Sequence, residues 1–344
     1  MSQSEHYRPL TPGLALNLAA PHTWAASVFP ALFADFYCWQ QGLGLTWFKG
    51  IMLLAACIFL QSAVNTLNDY FDFIKGADSA DDHVEVSDAV LVYGNVAPGS
   101  ALILGIVYMA AGAVLGLASC IGSGVVPVII GIIGGVVILI YSGGPIPVSY
   151  LPIGEIVSGF VMGGLIPLGI AGCADGKFHW QVLFYSLPMV AGIALIMMSN
   201  NGSDIEKNRK ARRRTFPTCI GRPRTLELYR YLIISWVTLV TVMPVTLLGP
   251  VGLVGVLIVV FLGRKVIRKQ LACTLEPEAY ITAMKGIAMT NIVLNGAYTA
   301  AFTGRIHSGG FTWLSIRKSS VFTVYFRAFQ KAMTVQITEI CNLN

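Results

Sequence analysis

Asn65, Asn68, Asp69 and Asp72 close a long apolar run at spacings of three and four. If the run is helical, Asn65 and Asp69 lie one turn apart, as do Asn68 and Asp72. Asp78, Asp81, Asp82, Glu85 and Asp88 follow, so that seven of the chain's 17 acidic residues fall between positions 69 and 88. Carboxylate and amide oxygens stacked at a helix end suit a hard divalent cation such as Mg²⁺. A solvated acidic loop between two helices is the competing reading, because runs of like charge are usually solvated.

A second segment reads Ser199-Asn200-Asn201-Gly-Ser-Asp204-Ile-Glu206-Lys-Asn208-Arg209 and continues into Lys210, Arg212, Arg213 and Arg214. Asp204 and Asn208 are again four apart, which repeats the Asn68/Asp72 arrangement. A basic run after an apolar span is first of all a topology signal. That signal gives no reason for Asn200, Asn201 and Asp204 at the span's edge, nor for a matching Asn/Asp turn earlier in the chain. Two oxygen-ligand turns beside arginines and lysines have one joint explanation. They would bind a diphosphate through bridging Mg²⁺, with cationic side chains taking the remaining phosphate charge.

The elements that must carry these turns are membrane helices. The chain has 344 residues, 55% of them hydrophobic and only 12% charged, whereas soluble domains carry roughly 25% charge. Apolar stretches long enough to cross a bilayer recur along it. They lie near 13–36, 48–67, 99–119, 124–141, 153–172, 180–200 and 286–304, with a run over 228–263 that Gly249-Pro250 divides into two. The expected fold is all-α and polytopic, with nine spans in residues 1–304. Residues 305–344 form a tail that mixes Arg317, Lys318, Arg327 and Lys331 with aromatic and β-branched residues and receives no functional reading.

The first span contains Pro21 and Pro30, so neighbouring helices must satisfy the backbone groups these free. The Gly/Pro-rich connection from Tyr141 to Pro152 cannot be helical throughout. Glu155, close to the start of the fifth span, is costly in a membrane unless it faces a polar cavity, which makes it a site candidate. Residues 1–10 are polar and no small-residue cleavage site follows the first apolar run, so no removable leader is expected. Basic residues cluster after spans six and eight, on the side that also holds the acidic loop. By the positive-inside rule that side is cytoplasmic. The net charge of +6 sits beside spans and is no nucleic-acid signature. The seven cysteines are scattered without a CxxC pair and read as small apolar side chains.

The paired turns resemble the two aspartate-rich motifs of the UbiA superfamily of intramembrane prenyltransferases. Asn68-Asp69-Tyr70-Phe-Asp72-Phe-Ile-Lys75-Gly76-Ala-Asp78 is most similar to the branch that prenylates 1,4-dihydroxy-2-naphthoate for menaquinone synthesis. Tyr141-Ser-Gly-Gly-Pro-Ile-Pro, Leu151-Pro-Ile-Gly154-Glu155 and Asn200-Asn201-x-x-Asp204-Ile-Glu also resemble that branch, and Pro21-His22-Thr23 resembles the family's first-span signature. The likeness covers about residues 8–304 and keeps the motifs in order.

It implies a ring of helices around a lipid-facing cavity capped by cytoplasmic loops of a cell-membrane enzyme. It further implies that Asn68, Asp72 and Asp78 hold one Mg²⁺ and Asp204 with Asn208 the other. Lys75 and Arg209 would neutralise the diphosphate, and Tyr70 and Tyr141 would shield an allylic cation, although interface tyrosines are more often anchors. Asn65, Asp69, Asn200, Asn201 and Glu155 would bind the substrates, a polyprenyl diphosphate and an aromatic acceptor. Asn208 departs from the family, whose second motif ends in aspartate; Glu206 or water would then assist. Prenylation of 4-hydroxybenzoate by the same fold is an alternative, as is a non-catalytic lipid-binding or transport protein. The paired motifs at one face, without an evident inverted repeat, count against a transporter.

Overall fold

The computed structural model describes residues 7–76 and 90–303, and Asp78, Asp81, Asp82, Glu85, Asp88 and the tail from 304 lie outside the described residues. The described chain is helical, and its one isolated bridge pairs Arg8 with Val96. Helix α1 (Pro12–Ala19) and a short 3₁₀ turn lead into α2 (Ala25–Gln40), followed by α3 (Trp47–Ile74), α4 (Val90–Tyr93), α5 (Pro98–Ser119) and α6 (Val126–Ser142). Helix α7 (Gly154–Phe160) continues through a π turn into α8 (Ile166–Asp175), and α9 (Trp180–Tyr185) precedes α10 (Leu187–Ser203). The remainder is α11 (Ile205–Lys210), α12 (Phe216–Ile220), α13 (Arg222–Leu248), α14 (Leu253–Ile258), α15 (Arg264–Leu271) and α16 (Tyr280–Thr303).

Gly249, with a positive φ, breaks the long apolar run where the sequence places the break. Among the described residues, 47–74, 98–119, 154–175 and 222–271 are long and apolar enough to cross a membrane, and α6 is a shorter apolar helix. Their outer faces are hydrocarbon: Ile103, Ile106 and Val107 of α5, Ile129, Ile132 and Val136 of α6, and Leu253, Leu257 and Phe261 beyond α13 are all exposed. Exposed apolar area on this scale needs lipid against it, and the chain is a multi-pass membrane protein.

Helix α2, apolar apart from Ser27 and Asp35, is buried from Ala26 to Trp39, as a central helix must be. It packs on α16, where Phe33 meets Tyr298 and Phe302 with ring centroids 5.3 and 5.0 Å apart. The break before α2 is satisfied as the prolines require. Trp24 Nε1 and Asn65 Nδ2 both donate to the Ala19 carbonyl, at 3.1 and 2.9 Å, and Thr66 Oγ1 donates to Leu18 O at 3.1 Å.

Glu155, Gly159 and Gly163 are spaced by four and share one face of the α7–α8 stretch. A Cβ at Gly163 would stand 2.4 Å from the Val190 nitrogen, and one at Gly159 would stand 2.7 Å from Val190 O. The glycines thus bring this stretch against the α10 backbone, the close approach that small residues permit in membranes. That approach carries Glu155 to the far end of α10, where Asn201 stands. Gly163→Ala is expected to cost about 2–3 kcal/mol by overpacking, read as a lower thermal midpoint in detergent. Gly131→Ala, where a Cβ meets nothing within 4 Å, should leave the midpoint unchanged.

Candidate active site

The end of α3 supplies the first half of the site. Asn68 and Asp72 are stacked as the spacing predicts, and Asn68 Nδ2 donates to Asp72 Oδ2 at 3.3 Å. Ser142 Oγ, at the end of α6, donates to Asn68 Oδ1 at 2.7 Å. Lys75 Nζ donates to the Ser142 carbonyl at 2.8 Å and lies 5.5 and 5.2 Å from the ring centroids of Phe71 and Tyr150. Burial holds this ammonium below its usual value, with Arg213 adding to the effect and Asp72 opposing it.

The second half is set by how α11 ends. Arg213 N donates to Asn208 O at 2.7 Å and Arg212 N to Arg209 O at 3.1 Å, the two bonds of a Schellman turn. Arg212 takes the left-handed position with φ 56°, an uncommon place for a residue with a Cβ. The reversal delivers the Arg213 guanidinium to Asp72, 141 residues earlier, where Nη2 donates to Oδ1. Arg213 also covers the Tyr150 ring, 4.6 Å from its centroid. Burial disfavours its charge, but the Asp72 carboxylate outweighs burial and raises the guanidinium above its usual value. The two motifs that the sequence pairs are therefore in contact through Asp72 and Arg213.

Beneath this contact runs a buried polar chain. Asn208 Nδ2 donates to Asn201 Oδ1 at 3.4 Å, and Asn201 Nδ2 donates to Glu155 Oε1 at 2.8 Å. Glu155 is 6% exposed, and its second oxygen has no hydrogen-bond partner among the described residues. Tyr141 borders the chain, its hydroxyl 3.5 Å from Gly154 O. Asn200 Oδ1 accepts from Tyr280 of α16 at 2.8 Å. Arg209 lines an open pocket of about 350 Å³ with Arg212, Arg213, Arg214, Thr218 and Cys219.

Other candidates stand elsewhere. Asn65 donates to Thr23 Oγ1 at 2.8 Å as well as to Ala19 O, and accepts from Gln61 at 3.2 Å, so its polar atoms hold the broken first span. Glu206 is engaged by Arg222 at both oxygens, at 2.9 and 2.7 Å, which turns it to the α13 end instead of a metal beside Asn208. Asp69 is half-buried one turn after Asn65, and Asp204 joins α10 to α11. Tyr70 packs on the small cluster of Leu18, Val90, Leu91, Val96 and Ala101.

The donors fit a hard divalent ion. Asn68 and Asp72 present amide and carboxylate oxygens, and Asp72 already attracts a cation of this chain. No three His, Cys, Asp or Glu side chains among the described residues form a metal cluster; Asp78 falls outside that set. Arg213, Ser142 and Tyr150 are the residues that sequence reasoning passed over. Arg213 was one of eight basic residues in its connection, and only the turn at Arg212 distinguishes it.

Comparison with known proteins bears on this arrangement. The profile of the UbiA prenyltransferase family matches residues 27–277. The chain is 32% identical to a 1,4-dihydroxy-2-naphthoate octaprenyltransferase of Bacillus subtilis over 62% of its own length and 67% of the relative's. It is 30% identical to the Mycobacterium tuberculosis protein of that description over 54% of its own length and 63% of the relative's. A solved UbiA homologue from Archaeoglobus fulgidus, bound to DMAPP and Mg²⁺, superposes with a TM-score of 0.53 at 17% identity, covering 83% of this chain and 99% of that one. At that identity the likeness is one of fold.

Proposed function

Because the chain belongs to the UbiA prenyltransferase family and is a membrane prenyltransferase, we propose that it moves a polyprenyl group from polyprenyl diphosphate to 1,4-dihydroxy-2-naphthoate, in menaquinone synthesis, with Mg²⁺ as cofactor. The observation that carries this is the Asp72–Arg213 contact, which joins an oxygen-donor turn to an arginine-rich one at the membrane edge. The descriptions of the B. subtilis and M. tuberculosis relatives support the acceptor.

In this reading Asn68, Asp72 and Asp78 hold one ion and Asp204 with Asn208 the other. Mg²⁺, when bound, supplies positive charge against the diphosphate. Lys75, Arg209 and Arg213 take up the remaining charge as the allylic C–O bond breaks and its electron pair leaves with the diphosphate. Tyr141 shields the allylic carbon by its ring, and Tyr70 holds the α3 end. Glu155 and Asn201 orient the acceptor, whose ring carbon forms the new bond while its carboxyl group leaves as CO₂. Asn200 steadies this edge of α10, and Asn65 and Asp69 fix the helix on which the ligands stand. The motif face is cytoplasmic in the cell membrane, residues 1–304 form the enzyme domain, and the partners are two small substrates and the bilayer, with no nucleic acid.

The test is metal removal. Membranes containing the protein, given labelled prenyl diphosphate and 1,4-dihydroxy-2-naphthoate, should lose all turnover with EDTA and regain it with excess Mg²⁺. Turnover that persists in EDTA contradicts the metal assignment, and a passive lipid binder shows none in either condition.

A further inference from the structure

Asp72 is the described carboxylate of the first proposed metal position, yet a cation of this chain holds it. Arg213 Nη2 donates to Oδ1 and Asn68 Nδ2 to Oδ2, at 3.3 Å for the latter. Asp72 is 6% exposed, and an anion this buried needs neutralising. The Arg213 Nε is itself buried without a hydrogen-bond partner among the described residues, and Arg213 lines a pocket with Arg209, Arg212 and Arg214. Its guanidinium is therefore well placed on Asp72 but incompletely satisfied there.

We propose that Arg213 is a place-holding cation, which neutralises Asp72 in the empty enzyme and exchanges it for the diphosphate when metal and prenyl diphosphate enter together. The inference rests on the prenyltransferase reading. A divalent ion and a guanidinium on one buried carboxylate repel each other. A metal arriving alone must displace Arg213 and leave a part-buried cation without its counter-ion. A metal arriving with a diphosphate offers that cation phosphate oxygens, which the planar guanidinium binds through two parallel N–H groups. Arg213 already lines the arginine-rich pocket that would take the phosphate groups, together with Arg209, Arg212 and Arg214. Metal affinity is thereby coupled to diphosphate, and by linkage diphosphate affinity is coupled to metal in equal measure. A metal-loaded site without substrate is disfavoured, which keeps the ion from capturing stray anions.

The test uses the purified full chain in detergent, with Mn²⁺ as a spin-active stand-in for Mg²⁺ and no substrate. Arg213→Met keeps an unbranched aliphatic side chain and removes the charge. It should bind Mn²⁺ alone at least tenfold more tightly than wild type, read from the free-ion resonance signal. The same variant should bind labelled inorganic pyrophosphate in Mg²⁺ at least tenfold more weakly. Arg213→Lys retains a point charge and should fall between the two on both scales, which keeps the test valid if the methionine variant does not fold. Mn²⁺ binding to both variants no tighter than to wild type overturns the proposal while leaving the prenyltransferase reading intact. Wild type that binds neither Mn²⁺ nor pyrophosphate when both are supplied overturns both.

Discussion

Asp72→Ala is expected to yield a membrane-inserted protein whose turnover falls by about 10³-fold or more, the scale on which removing one charge-stabilising group slows an enzyme. The substitution removes the carboxylate stacked over Asn68 and also strips Arg213 of its partner. A part-buried guanidinium left unpaired costs about 3–5 kcal/mol, so a lower thermal midpoint should accompany the loss of rate. Asp72→Asn separates the two effects. It keeps the shape and an oxygen for Arg213, so it should recover part of the midpoint, but without the charge its turnover should stay near that of Ala. Wild-type turnover in either variant with Mg²⁺ present would remove Asp72 from the metal site.

The second large effect is expected at Glu155. Its Oε1 accepts from Asn201, while Oε2 is buried with no partner among the described residues. A carboxylate this buried at the start of a membrane helix is costly and therefore points to a ligand. Glu155→Leu should reduce turnover by about 10²-fold, and it also leaves Asn201 Nδ2 unpaired at about 1–3 kcal/mol. Glu155→Gln retains an acceptor for Asn201 and so the fold, and its loss should appear mainly as a higher KM for the aromatic acceptor. The KM for prenyl diphosphate should move little in both variants. An unchanged acceptor KM in Gln and Leu alike would make Glu155 a purely structural residue.

Much of this site is legible in the chain because its signals are local. The Asn68/Asp72 and Asp204/Asn208 pairs need only helical spacing to be read, and Glu155 is conspicuous by its cost in an apolar run. The Gly249-Pro250 break and the interrupted helix between Tyr141 and Pro152 follow from backbone chemistry at single residues. What escapes is whatever depends on two distant segments. Glu155 and Asn201 are each suspect alone, but their hydrogen bond depends on Gly159 and Gly163 meeting Val190. Asn65 reads as a ligand by spacing, and only the opening after Ala19 shows what its amide holds. Arg213 is hidden among like residues, because a left-handed turn is unexpected at Arg212, where no glycine announces it. The π turns at Val161–Leu165 and Val259–Gly263 leave no local mark in an apolar run.

The central claim is that the joined motifs release diphosphate from a polyprenyl donor so that a naphthoate accepts the chain. Its most direct test is the mass of the product formed when membranes carrying the protein receive polyprenyl diphosphate, Mg²⁺ and equal amounts of 1,4-dihydroxy-2-naphthoate and 4-hydroxybenzoate. The expected product is a prenylated naphthalenediol lighter by CO₂ than the simple adduct, formed by wild type and absent with Asp72→Ala. Prenylated 4-hydroxybenzoate as the main product would contradict the acceptor assignment, and the same naphthoate product at wild-type yield from Asp72→Ala would contradict the site.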